Sequence, residues 1–148
     1  MSPDKTTQLT TFFLRGLYLG IDVQKVQEVI RFQPMTRVPT APPVVRGLIN
    51  LRGQIVTALD LRRRLELGDD GAHPHPVNVV VRGSDGATSL LVDEIGDVVT
   101  VEDGDLEPPP ETMTGRAREL IRGAYKLPQR LLLILDVEAT IERWGQGA

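Results

Sequence analysis

The sequence contains no cysteine, which excludes disulfides, thiolate nucleophiles and thiolate metal ligands and fits a reducing compartment as well as any other. Histidine is nearly absent: His73 and His75 share one loop, and two imidazoles without positioned carboxylates leave most of a metal's coordination shell to water. No metal or other cofactor is expected. The serines are Ser2, Ser84 and Ser89, and the two histidines sit in a flexible-looking loop, so a hydrolytic triad is not expected either. The aromatics Phe12, Phe13, Tyr18, Phe32, Tyr125 and Trp144 are scattered, whereas single-stranded nucleic acid needs a stacking platform beside a positive groove. No glycine run ends in Lys-Ser or Lys-Thr, so a phosphate loop is missing. The longest aliphatic stretch, Leu131 to Leu135, is far shorter than the roughly 20 residues of a membrane helix. Met1-Ser2-Pro3-Asp4-Lys5 leads into no signal-peptide apolar region, and a cytoplasmic protein is expected. A formal charge of -3, from 17 basic and 20 acidic residues, creates no field that would draw nucleic acid or an anionic bilayer.

What is present is a chain of one domain's length, 148 residues, cut by 11 prolines and 14 glycines into short runs rich in Val, Ile and Leu. That pattern predicts a mostly β protein with one or two short helices. Strands are expected at Leu9–Leu14 and Leu17–Ile21 around Arg15-Gly16, where glycine supplies a positive φ. A helix is expected next, from an Asp22 cap to about Arg31, because Val23, Val26, Val29 and Ile30 recur at helical spacing. Pro34, Pro39, Pro42 and Pro43 then leave room only for a short extended piece, Met35–Val38. Gly47–Leu51 and Gln54–Leu59 read as a hairpin about Arg52-Gly53, followed by a helical turn, Leu61–Leu67, capped by Asp60. Glu66–Pro76 reads as a loop. Val77–Val81 and Ala87–Val92 flank a Ser84-Asp85-Gly86 turn, Ile95–Val101 continues as strand or short helix, and Glu102–Gly115 is an acidic, proline-rich connection. Leu120–Leu127 and Leu131–Leu135 form the last hairpin, before a helix capped by Asp136 and ending near Trp144.

An internal repeat organises these runs. Shifted by 76 positions, Arg46-Gly47 falls on Arg122-Gly123, Leu51 on Leu127, Leu59-Asp60-Leu61 on Leu135-Asp136-Val137 and Leu65 on Ile141. Shifted by 71, Leu19, Ile21 and Asp22 fall on Leu90, Val92 and Asp93. Two half-size barrels, each too small to hide its apolar faces alone, would pack together and create a groove between them.

Among the polar residues, Asp22, Asp60, Asp93 and Asp136 each precede a helical stretch or turn and read as caps rather than as acids and bases. Arg62-Arg63-Arg64 spreads around a helix and reads as a solvated face. Two choices stay unexplained by folding: Arg52 at a hairpin tip, and Glu28 near the end of the expected helix, where an acid opposes the macrodipole.

The runs Leu19-Gly20-Ile21-Asp22-Val23-Gln24-Lys25-Val26-Gln27-Glu28-Val29, Val45-Arg46-Gly47-Leu48-Ile49-Asn50-Leu51-Arg52-Gly53-Gln54-Ile55-Val56 and Leu59-Asp60-Leu61-Arg62 resemble the CheW family, the chemotaxis coupling proteins. Leu91-Val92-Asp93, Leu106–Pro110 and Leu132–Val137 are similar to the family's second half. The resemblance implies one CheW-like domain, 9–144, between flexible termini at 1–8 and 145–148, built as two intertwined SH3-like five-stranded β-barrels. It implies a non-catalytic adaptor that binds the cytoplasmic tip of methyl-accepting chemoreceptors and the regulatory domain of a CheA-type histidine kinase. Other CheW-like domains in rings are further partners it allows, in arrays at the inner membrane. Val26, Glu28, Gly47 and Arg52 match family positions implicated in coupling: Arg52 and Glu28 as polar contacts, Val26 as an apolar one, and Gly47 as a place where a partner backbone approaches closely. Thr57 departs from the family, where proline is common, and the Gly68–Pro76 loop is individual. The same resemblance admits a non-flagellar chemosensory pathway. A small-molecule-binding barrel or an enzyme reusing the groove is the alternative from a different class.

Overall fold

Two hairpin turns of the same kind set up the architecture. Arg15 and Gly16 have φ of 48° and 81°, and Arg52 and Gly53 have φ of 50° and 87°, the double positive-φ geometry that matches the twist of flanking strands. The computed structural model describes residues 5–68, 74–84 and 86–142. Along the chain lie β1 (Thr6–Leu14), β2 (Leu17–Asp22), β3 (Val26–Ile30), β4 (Val45–Leu51), β5 (Gln54–Asp60) and α1 (Leu61–Arg64). The second half supplies β6 (Val77–Gly83), β7 (Gly86–Val92), β8 (Glu94–Glu102), α2 (Gly115–Leu120), β9 (Ile121–Lys126), β10 (Leu131–Leu135) and α3 (Val137–Glu142).

The strands form two five-stranded sheets, β8-β1-β2-β10-β9 and β3-β6-β7-β5-β4. In each, the central pair is parallel, β2 with β10 and β7 with β5, and the other neighbours are antiparallel. The repeat predicted from the sequence is therefore present, but in exchanged form. Each sheet takes its first two strands from one half of the chain and its last three from the other.

Each sheet also curls over a core of its own. In the first, hereafter barrel A, Val99 and Val101 of the edge strand β8 pack with Tyr125 of the opposite edge strand β9, around Leu9 and Leu132. In barrel B, Ile30 of the edge strand β3 joins Ile49 and Leu51 of the opposite edge, around Val56 and Val80. A third and larger core, including Phe12, Leu19, Leu59, Leu90 and Leu135, fuses the barrels, so neither half hides its apolar surface alone.

The closing contacts repeat as well. Thr36 and Leu48 exchange two backbone hydrogen bonds of 2.8 Å in barrel B, and Glu107 and Ala124 exchange bonds of 2.9 and 2.8 Å in barrel A. Beside each bridge stands a glycine with no room for a side chain. A Cβ at Gly47 would lie 2.8 Å from Thr36 O, and one at Gly123 would lie 2.5 Å from Glu107 O.

Four expectations need correction. The residues expected as a helix from Asp22 to Arg31 form one 3-10 turn, Val23–Lys25, and then β3. Asp22 still caps it, accepting from Gln24 N at 2.9 Å, but the β-branched run that follows gains more from pairing with β6 than from continuing the helix. The helix α2 arises where a connection and a strand start were expected. The strand β1 begins at Thr6, which pairs with Glu102, so 6–8 belong to the sheet. The Arg62–Arg64 run is not a solvated face, because Arg62 is buried and Arg64 donates to Thr140 O and Ala139 O at 2.6 and 2.9 Å. Trp144, His73 and Asp85 lie outside the described residues.

Candidate partner-binding surface

The curl of barrel B brings Glu28 and Arg52 together from opposite edges of one sheet. Glu28 lies on β3, and Arg52 on the β4–β5 turn, 24 positions later. The guanidinium donates twice to the carboxylate, Nη1 to Oε2 and Nη2 to Oε1, each at 2.8 Å. This planar fork is the arrangement that makes arginine unlike lysine. The turn below it is held by Asn50 Oδ1, which accepts from Gly53 N at 2.8 Å. The hydrogen bond with Arg52 holds the Glu28 carboxyl below its usual range, and the same contact raises the guanidinium. The Arg52 side chain remains 78% exposed and that of Glu28 16%, so the guanidinium is displayed to solvent over a largely covered carboxylate.

Both residues left unexplained by folding are thus parts of one feature. Val26 opens β3 opposite Val81 and is half-buried against the shared core. A bulge between Val26 and Glu28 adds one residue to the strand and re-aims the side chains that follow. Gly47 is brought near neither Arg52 nor a free surface: it is buried, and the backbone that approaches it closely is the chain's own, at Thr36.

Periodicity did not single out β8. Ile95 and Val98 are exposed on that strand, as are Val29 on β3 and Ile55 on β5. The strands β3 and β8 are those that cross from one barrel to the other, β3 after the Val23–Lys25 turn and β8 after Asp93 alone. Both therefore start at the junction of the barrels with apolar side chains uncovered. The signal was readable in Ile95 and Val98 standing among Glu94, Asp97 and Glu102, apolar residues in a strand too acidic to be a core strand.

At the same junction Asp93 is no helix cap. It accepts from Arg15 N at 2.8 Å and forms an ion pair with Arg62, Nη2 to Oδ2 at 2.7 Å. Asp60 and Asp136 do cap, accepting from Arg63 N and Ala139 N at 3.3 and 3.0 Å. Two aromatics regarded as scattered also meet: Phe13 and Tyr18 stack at 5.0 Å, with the Arg130 guanidinium over both rings. Ser89 is buried and donates to Asn78 Oδ1 at 2.7 Å, a structural role. His75 packs edge-on against Phe32 at 4.7 Å. Among the described residues no three His, Asp or Glu side chains converge as a metal site, and no helix is long and apolar enough to cross a membrane.

Two fused barrels that display a charged fork and uncovered apolar edge strands have the makings of a protein-binding module. Comparison with known proteins gives it a family. Residues 8–143 match the CheW-like domain, and the chain belongs to that family. It is 31% identical over 141 residues to the chemotaxis protein CheW of Treponema pallidum, covering 90% of this chain and 81% of that one. It is likewise 31% identical over 136 residues to the chemotaxis protein CheW of Bacillus subtilis, covering 92% and 87%. Protein FrzA of Myxococcus xanthus is 31% identical over 100 residues, covering 67% and 62%. The crystal structure of the scaffolding protein TtCheW from Thermoanaerobacter tengcongensis has the same fold, with a TM-score of 0.82 and 25% identity over 93% of this chain and 89% of that one.

Proposed function

We propose that this protein is a chemotaxis coupling scaffold, placing a CheA-type histidine kinase under the control of methyl-accepting chemoreceptors without doing chemistry itself. The observation that carries the reading is the Glu28–Arg52 fork. Its guanidinium is exposed, and the equivalent positions of barrel A, Val99 and Pro128 under the repeat's two shifts, hold no charge, so the fold does not need the pair. Polar pairs of this kind lend specificity and register to a contact more than raw affinity.

The receptor's cytoplasmic tip, a helical hairpin, lays an apolar stripe along the crossing strands β3 and β8, where Val26, Val29, Ile95 and Val98 stand, with Arg52 and Glu28 as its polar contacts. Gly47 contributes indirectly, by letting the Met35–Thr36 segment close barrel B. The kinase's regulatory domain, or further CheW-like domains in a ring, meet a barrel end instead. Charge supports this: residues 29–59, in barrel B, contain arginines and no acid, whereas residues 93–115, which include β8 of barrel A, contain acids and no base, which favours head-to-tail contact between unlike barrels. Receptor binding recruits the protein to arrays at the inner membrane. The similarity to FrzA keeps a non-flagellar chemosensory pathway as the second reading.

The test is calorimetric titration of the purified protein with the hairpin fragment of each receptor from the same genome, and separately with the regulatory domain of each CheA-type kinase. Binding to one of each is the expected result and identifies the pathway. Binding to none, with partners that are folded and active, would overturn the coupling role.

A further inference from the structure

We propose that one end of barrel A carries a binding site for a small organic carboxylate with an apolar body, whose charge is held by Arg130. The Arg130 guanidinium stands over two stacked rings, 5.5 Å from the centre of Phe13 and 4.8 Å from that of Tyr18. Cation–π attraction restrains the group without using its N–H donors, which lie in its own plane. Arg130 is exposed and, among the described residues, makes no hydrogen bond and no ion pair. Five donors and one positive charge are therefore available in an orientation already fixed, so little freedom is lost on binding.

Two cavities meet at this stack, where β1 turns into β2 and β10 begins, and both are lined by Phe13, Tyr18 and Arg130. The larger, of about 710 Å³, adds Leu17, Met113, Leu131 and Leu133, and its volume falls within the range of small-molecule sites. Asp97 lines the smaller one, so the apolar body of an anion enters the larger, away from that carboxylate. There it covers Leu131, which is exposed although it belongs to a strand. The walls are held by backbone bonds. Met113 N donates to Pro110 O at 3.0 Å, and Arg118 Nη1 donates to the same oxygen at 2.9 Å. Leu127 N donates to Arg130 O at 3.0 Å, closing the turn that presents the arginine. A single guanidinium matches a monocarboxylate with paired donors and equal charge.

Barrel B serves as an internal control. Phe13 faces Tyr18 across β1 and β2. The shift of 71 carries Tyr18 to Ser89, which faces Val80, and the shift of 76 carries Arg130 to Gln54. Barrel B closes without a ring pair or a cation at these places, so folding does not require them.

The experiment is an NMR titration of the intact isotope-labelled protein at neutral pH and fixed ionic strength, following arginine Nε–H and tyrosine ring signals. The probes are phenylacetate, hexanoate, acetate and the neutral phenylacetamide. The Arg130 and Tyr18 signals should shift together and saturate with phenylacetate or hexanoate. Acetate, which lacks the apolar body, and phenylacetamide, which lacks the charge, should each bind about tenfold more weakly. Arg130→Gln removes no hydrogen bond from the fold and should weaken phenylacetate binding about tenfold, whereas Arg37→Gln, on the exposed surface of barrel B, should not. Leu131→Gln should weaken phenylacetate severalfold and leave acetate unchanged. Tighter binding of phenylacetate than of hexanoate would identify an aromatic acid, the reverse an aliphatic one, and equal binding a site selected by charge and apolar area alone. The proposal is overturned if no carboxylate saturates below about 10 mM, if phenylacetamide or acetate binds as well as phenylacetate, if Arg130→Gln is silent, or if Arg37 shifts as much as Arg130.

Discussion

Barrel B finishes its seam with a charged fork, Glu28 to Arg52, while barrel A has Val99, packed into its own apolar core, and Pro128 at the corresponding positions. The junction differs in the same way. Arg62 and Asp93 form a partly buried ion pair on one side. Their counterparts are Glu138 and Asp22, of which Glu138 turns to Lys25 at 2.6 Å. Other features are the same in both barrels: the closing glycine, the backbone bridge beside it and the aspartate cap after the second hairpin strand. What the fold requires is present twice. What is present once is free to serve recognition or to set the angle between the barrels.

The comparison can be broken most forcefully at the junction. Arg62→Met leaves the Asp93 carboxylate without its cation and should cost about 3 kcal/mol, as removal of one partner from a buried pair does. Chemical denaturation measures it, and a loss below about 0.5 kcal/mol would show the pair to be dispensable, like its absent counterpart. Next comes the feature present twice. Gly123→Ala and Gly47→Ala each force a Cβ against a carbonyl oxygen and should cost about 2 kcal/mol, the usual scale of overpacking. For a chain of this size that lowers Tm by roughly 5–8 °C in calorimetry. A much larger loss at one glycine than at the other would mean that the two seams are not equivalent.

Arg52→Glu should leave Tm almost unchanged and weaken binding of the receptor fragment or the kinase regulatory domain about tenfold. The exchange Glu28→Arg with Arg52→Glu restores the pair, and if binding returns as well, the fork acts by shape rather than by the position of each charge. The smallest effect is acid titration. The hydrogen bonds from Arg52 hold the Glu28 carboxyl below the ordinary glutamate range, so the pair's contribution to stability is complete above that range and is lost as the pH falls through the lower folded value. Carboxyl carbon NMR should therefore place Glu28 below the ordinary glutamate range, and Arg52→Gln should move it upward.

Much of this was legible in the residues. The turns Arg15-Gly16 and Arg52-Gly53 were readable because a two-residue hairpin loop requires positive φ, which glycine supplies locally. The offset of 76 was readable because hairpin, aspartate cap and helix keep fixed spacing. The segment after Asp22 was not, since Val23, Val26, Val29 and Ile30 suit a helical face and a strand alike, and only pairing with β6 decides between them. Glu28 and Arg52 were each visible as anomalies without a partner. Arg62 was misread because its cation finds an anion 31 positions away, across a junction that no local pattern reveals.

The sequence by itself determined most of the strands, the tight turns, the duplication and the absence of a thiol chemistry, all of which depend on residues close in the chain or on composition. Only the tertiary structure decided that the halves exchange strands, that Gly47 makes room for the chain's own backbone, and that Glu28 meets Arg52. These depend on a sheet curling until its two edges meet, and that curl is stabilised by apolar contacts among side chains distant in sequence.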